Sequence, residues 1–324
     1  MPRPLRIQYA GAWYHVMNRG RRGEEVFSGE DDHNAFIDIL KELVEDYNVK
    51  VAAYCLMTSH YHLLLQTPDA NISRSMRHLN GVYTQSFNRM HHCDGPLFRG
   101  RFKSILVDAD SYLLELLKYI HRNPLEAGLV DNLNKYAWSS HKGYLSSSKK
   151  WGWLNKDYVL SLFSKNRAES ISKYKKFVSK ETPEEIIQIL ARKNLPAILG
   201  TKTFVDKIKE IFFSKKSHEE VPESRFPAPG ADKIIEEVCK FYQVHKKDLL
   251  ASRRGFFNEP RNVAIYLIRR LRSDNLKDVG KIFEIAKNSS VSSVVERLKR
   301  EMIRDKKIKK RVEILRGELA KSQE

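Results

Sequence analysis

Cysteine is scarce in this chain of 324 residues: there are three, Cys55, Cys93 and Cys239. They lie far apart and form no Cys-x-x-Cys, so neither a zinc knuckle nor a disulfide framework is indicated. Long apolar runs are lacking too. None approaches the ~20 residues of a membrane-spanning helix. The first residues, Met1 to Arg6, lack the apolar core of a secretory signal. A reducing cytoplasm is the simplest expected compartment, with no membrane partner. Acidic residues are in deficit, 40 against 58 Lys and Arg, which leaves a net charge of +18. A positive field of that size favours a polyanionic partner. No Gly-x-x-x-x-Gly-Lys-Ser/Thr occurs, so the chain has no P-loop ATPase.

What is present centres on His60-Tyr61-His62. Val51 to Met57 and Tyr61 to Leu65 are short apolar runs suited to strands, with Thr58-Ser59 as the turn between them. Strand side chains repeat every two residues, so His60 and His62 project from one face and Tyr61 and Leu63 from the other. Two imidazoles on one face can grip a divalent cation. A second element runs from Ser111 to Arg122, capped by Asp110 or Ser111, with leucines at helical spacing. Pro124 disfavours helical geometry at Asn123, so the helix is expected to end about there. Tyr119 and Asn123 share a face if the last turn holds. The Asn123 amide oxygen is then a third, hard ligand beside the Tyr119 phenol. Two nitrogens and an oxygen with open positions suit Mg²⁺ or Mn²⁺ bound jointly with a phosphate. A single tyrosine at such a site is what a DNA-nicking enzyme needs to cut through a covalent protein–DNA bond.

Further elements complete a pattern. Trp13 to Asn18 reads as a strand, Asp32 to Tyr47 and Ile72 to His91 as helices, and Lys103 to Val107 as a strand. The order strand–helix–strand–strand–helix–strand, with the tyrosine helix after it, predicts an α+β, ferredoxin-like sandwich on an antiparallel sheet. Arg99, Arg101 and Lys103 mix with Phe98 and Phe102, a combination that suits phosphates and unstacked bases of single-stranded DNA. His91-His92-Cys93 lacks further ligands and reads as a solvated helix end. Residues 149–216 form a lysine-rich extension of short helices, and the breaker-rich stretch 217–230 reads as a linker. Residues 231–324 read as all-helical. Leu276 to Phe283, a short turn, and Ser289 to Val295 have the layout of a helix-turn-helix, held by Val279, Ile282, Phe283, Val291, Val294 and Val295.

Residues from about Arg6 to Tyr144 resemble the IS200-type Y1 transposases, in the branch of REP-associated tyrosine transposases. The matching stretches are Tyr14 to Gly20, Met57 to Leu64, Leu97 to Ser104, Tyr119 to Val130 and Tyr136 to Ser140. The resemblance implies a catalytic domain at 1–148 with HUH endonuclease chemistry. His60 and His62 would bind metal, Asn123 would complete the site, and Tyr119 would be the nucleophile. Some relatives carry Gln at the Asn123 position, which keeps the amide oxygen but lengthens its reach. The implied substrate is single-stranded DNA with hairpins. Relatives include monomers and helix-exchanging dimers, so no oligomeric state follows. His121 is the candidate proton acceptor for Tyr119.

The last region resembles the C-terminal DNA-binding domain of the initiator DnaA. The likeness rests on Tyr242-Gln243-Val244 with Leu249-Leu250, on Arg253-Arg254, on Pro260 to Leu267, and on Val279 to Phe283. Where that family has Gly-Gly-Arg-Asp-His-Thr-Thr-Val, this chain has Glu284 to Val291, and the base-reading Asp-His has become Lys287-Asn288. Duplex docking is therefore expected, through phosphate contacts from Arg253, Arg254 and Lys281 and with Lys287, Asn288, Ser289 and Ser290 facing the groove. The DnaA-box preference is not. Two rival readings are a non-catalytic DNA-binding regulator and a hydrolytic nuclease in which Tyr119 only packs.

Overall fold

The computed structural model describes residues 6–192, 194–213, 229–251, 257–272, 274 and 276–321. The chain divides into two compact units, Met1–Arg225 and Phe226–Glu324.

The first unit is built on β1 (Ala12–Arg19), α1 (Glu30–Tyr47), β2 (Lys50–Met57), β3 (His60–Thr67), α2 (Ile72–Met90), β4 (Lys103–Val107) and α3 (Ala109–Glu126). β3 pairs antiparallel with β1 and β2, and β4 antiparallel with β1. The sheet order β2-β3-β1-β4 is the ferredoxin-like arrangement that the element order predicted. The antiparallel expectation needs one correction. A two-residue strand, β5 (Ile198–Leu199), pairs parallel with β4 and makes the sheet mixed.

Both faces of the sheet are covered. Tyr14, Val16, Tyr61, Leu63 and Leu65 pack with Phe36, Leu40, Met76 and Tyr83 of α1 and α2. Trp13, Cys55, Met57, Leu64 and Ile105 pack on the other face with Leu113, Leu116, Leu117 and Ile120 of α3. This double burial explains why β1 to β3 read as nearly continuous apolar runs. Each fully buried leucine or isoleucine contributes about 1.5–3 kcal/mol. At the entry to α1, the Asp32 carboxylate accepts from the Ser28 and Gly29 amides, satisfying two orphan donors.

The extension joins this unit. After α4 (His141–Leu145), it contributes α5 (Lys156–Ser161), α6 (Arg167–Ser179), α7 (Glu184–Ala191), β5 and α8 (Lys202–Phe213). It grips the tyrosine helix. Arg122 donates to the Val178 and Ser179 carbonyls, and Thr182 donates to Glu126. These contacts bear on a second correction: α3 does not stop at Asn123 but runs through Pro124 to Glu126. Pro124 removes one intrahelical bond near the end of the helix, and the buried packing of residues 120–124 outweighs that loss.

The second unit is all-helical among its described residues: α9 (Ala231–Tyr242), α10 (Lys246–Leu250), α11 (Glu259–Leu267), α12 (Leu276–Ile282), α13 (Asn288–Arg304) and α14 (Lys306–Lys321). Val279, Phe283 and Val291 are fully buried, and Ile282, Val294 and Val295 pack beside them. A Cβ at Gly280 would meet the Ile285 carbonyl oxygen at 2.7 Å, so the turn between α12 and α13 closes only on glycine. Arg261 is buried and donates to the carbonyls of Leu249, Leu250 and Phe283, tying three segments together. The linker expected at 217–230 lies mostly outside the described residues. Among the described residues no helix is long and apolar enough to cross a membrane.

Candidate active site

His60 and His62 stand on β3, on the face that α3 covers, and their ring centroids are 5.0 Å apart. Tyr61, between them, is fully buried in the opposite layer, with its hydroxyl on Asn80 at 2.8 Å. The strand period therefore sorts the three side chains as the sequence predicted. Tyr119 on α3 meets His62 edge to face, with centroids 5.6 Å apart. The Asn123 side chain, one turn on, lies near enough to lower the phenol against the effect of burial. His60, His62, Tyr119 and Asn123, drawn from segments about sixty residues apart, thus gather at one place.

Burial sets the protonation states. It pushes the His60 imidazole down to about 4, with Arg19 adding to the effect. His62 is held well below its ordinary value by burial, and by His15 and His60. Both rings are neutral at pH 7 and have free lone pairs. Burial also raises the Tyr119 phenol, partly offset by the nearby Asn123 side chain.

The donor set fits a divalent cation. His60 Nδ1 lies 3.2 Å from Ser59 Oγ, and His62 Nδ1 lies 3.0 Å from His15 Nε2. Both rings thus have Nδ1 engaged and Nε2 left over, the pattern in which outer partners orient metal ligands. The Asn123 amide oxygen supplies the hard donor. Among the described residues no three His, Cys, Asp or Glu side chains are placed to hold a metal.

His15 is the residue that sequence reasoning missed. It is fully buried, and burial pushes it down to about 3. Its only signal was a polar residue inside the apolar run Tyr14 to Val16. His121 does not suit the role of proton acceptor. It is fully buried, with Nε2 on Ser140 at 2.7 Å and Nδ1 on the Tyr174 hydroxyl at 2.8 Å. His91 is bonded to Asp32.

The basic segment is corrected in part. Phe98 and Phe102 are buried in the core and offer no surface for bases, while Arg99, Arg101 and Lys103 are exposed. In the second unit Lys281, Lys287, Asn288, Ser289 and Ser290 are exposed, the last three in the first turn of α13. Arg253 and Arg254 lie outside the described residues.

The profile of the family described as "Transposase IS200 like" matches residues 8–123. This stretch of the chain is similar to an IS200-like transposase domain. It is 28% identical over 118 residues to a REP-associated tyrosine transposase of Haemophilus influenzae, covering 33% of this chain and 67% of the relative. A solved structure, titled as a REP-associated tyrosine transposase bound to a REP hairpin, matches with a TM-score of 0.39 and 16% identity, covering 45% of this chain and 86% of that one. Behind that stretch, residues 231–298 match the bacterial DnaA helix-turn-helix family. DnaA of Acholeplasma laidlawii is 34% identical over 79 residues, and DnaA of a Jannaschia species 28% over 89. The matched segments make up 18% and 19% of those initiators' lengths and 24% and 27% of this chain.

Proposed function

We propose that the transposase domain is a metal-dependent, single-tyrosine DNA strand transferase that nicks and rejoins single-stranded, hairpin-flanked DNA. The observation that carries this reading is Tyr119 set edge to face against His62, with Asn123 one helical turn away. A structural tyrosine has no need of two neutral imidazoles whose Nδ1 atoms are already engaged.

The Tyr119 oxygen attacks phosphorus, the bond from phosphorus to O3′ breaks, and a 5′-phosphotyrosine link and a free 3′-hydroxyl result. The phosphodiester energy stays in the link, so rejoining to another end needs no ATP. His60, His62 and Asn123 would hold Mg²⁺ or Mn²⁺. A bound cation polarises the phosphate and offsets the charge that develops on it. Asn123 also orients the phenol.

The second unit, on this reading, docks on duplex DNA with Lys287 to Ser290 at the groove and Lys281 on the backbone. Its support is the exposed first turn of α13. A localisation with DNA in the cytoplasm follows from the same reading.

The metal role is tested on a single-stranded hairpin. EDTA treatment and His60→Ala should each abolish nicking, and Mn²⁺ should restore the EDTA-treated parent. Full nicking in EDTA would end the metal assignment.

A further inference from the structure

A cleft of about 430 Å³ beside the site is lined by Arg19, Arg21, Arg22, Gly23 and Arg99. Its volume falls within the roughly 300–1,000 Å³ of small-ligand sites. The four arginines come from two segments about eighty residues apart, joined by main-chain bonds. The Arg21 amide donates to the Leu97 carbonyl at 3.0 Å, and the Arg99 amide to the Arg19 carbonyl at 2.9 Å. Gly20 makes the closure possible, because a Cβ there would meet the Glu24 carbonyl oxygen at 2.1 Å. Arg22 sits at φ 58 and ψ 13, a left-handed conformation that non-glycine residues avoid. Strain of this kind tends to persist at functional sites.

All four side chains are exposed, and none makes an ion pair with a described carboxylate, although Glu24 and Glu25 follow directly. Four guanidiniums around one space, with no ion pair to a described carboxylate, make a positive cleft that attracts an anion. Planar forks favour oxyanions that accept two parallel bonds, as a phosphodiester does. The cleft adjoins the histidines, since Arg19 lies opposite His60 in the strand register.

We infer that this arginine cleft is a second phosphate subsite, which holds a non-scissile phosphodiester of the DNA strand next to the link cut at Tyr119. The inference rests on the strand-transfer reading for its ligand. It adds a residue-level anchor for the flanking nucleotide, so the strand is held at a point besides the reacting phosphate. Two fixed points set the register of the cut.

The test measures equilibrium binding of a mixed-sequence single-stranded oligonucleotide in EDTA, where no cleavage interferes. Arg21→Ala with Arg99→Ala should weaken binding about tenfold and flatten the salt dependence by about 1.4 in log–log slope, two contacts at ~0.7 each. Lys207→Ala with Lys209→Ala, exposed on α8, removes the same charge and should change affinity by less than about threefold. Arg22→Gly gives a second readout of opposite sign: affinity should fall while the melting temperature holds or rises. Equal losses in the arginine and lysine pairs would overturn the subsite, since only net charge would then matter. A melting temperature lowered by Arg22→Gly would overturn the claim that binding retains the strained arginine. If no form of the protein binds the strand, the strand-transfer reading falls with the subsite. If the arginine-specific loss appears but the parent forms no covalent adduct when Mn²⁺ is supplied, the tyrosine chemistry fails and the cleft stands.

Discussion

His15 Nε2 and His62 Nδ1 lie 3.0 Å apart inside the sheet, and both rings are buried. When His62 presents Nε2 to a cation, its proton sits on Nδ1 and His15 must accept it. The His15 proton is then on Nδ1, which has no partner. An unsatisfied buried donor costs about 1–3 kcal/mol. A cation on His62 Nε2 would select this tautomer; the reverse donation, from His15 Nε2–H to His62 Nδ1, leaves His15 Nδ1 a bare acceptor.

The first prediction concerns that pair. His15→Leu should weaken Mn²⁺ binding about 10–100-fold, as loss of an outer partner commonly does. Stability without metal should change little, because the orphan atom only moves from His15 to His62. His15→Gln, whose amide oxygen can accept the same proton, should recover part of the affinity. Calorimetric titration with Mn²⁺ and denaturant melts check both halves. Unchanged affinity in His15→Leu would show that the contact is packing alone.

Acid should destabilise the first unit. His15 is pushed down to about 3, and His60 and His141 to about 4, chiefly by burial. In the unfolded chain each returns to about 6.5. Between those values the unfolded chain binds more protons, so stability is complete above about pH 6.5 and falls as the pH drops toward 4. Each group contributes about 1.4 kcal/mol per pH unit in that window. All four tryptophans, Trp13, Trp138, Trp151 and Trp153, lie in the first unit, so their fluorescence reports it selectively. Denaturant midpoints that stay flat between about pH 7 and 5 would contradict the buried, neutral histidines.

The second unit should show phosphate-driven binding to duplex DNA. Lys281→Ala with Lys287→Ala should weaken duplex binding and lower the log–log salt slope by about 0.9, from the one phosphate contact of Lys281. Nicking of a short single-stranded hairpin should be unaffected, because the catalytic set lies before Tyr144. Duplex affinity unchanged by the pair would remove these two lysines from the docking surface.

Much of this site was legible because its chemistry is local. The two-residue period of β3 sorts His60 and His62 from Tyr61, and one helical turn joins Tyr119 to Asn123. The four main strands carried enough apolar residues to be read. β5 did not, since two residues have no period and its pairing depends on the exposed edge of β4. The continuation of α3 through Pro124 was hidden as well, because it depends on packing contributed by residues far along the chain. Phe98 and Phe102 looked available beside their cations, and only the fold shows them buried. His15 and the Arg19 to Arg22 turn escaped for a related reason. Their partners, His62 and Arg99, are supplied by sheet register and loop closure rather than by neighbours in sequence.

The most direct measurement is the covalent adduct. Protein incubated with Mn²⁺ and a hairpin strand labelled on the downstream side of the cut should give a band that survives denaturation, and peptide mapping should place the DNA on Tyr119. Tyr119→Phe should lose the band while still binding the strand. An adduct that persists in Tyr119→Phe, or cleavage by the parent with no adduct at any time, would contradict the assignment of Tyr119 as the nucleophile.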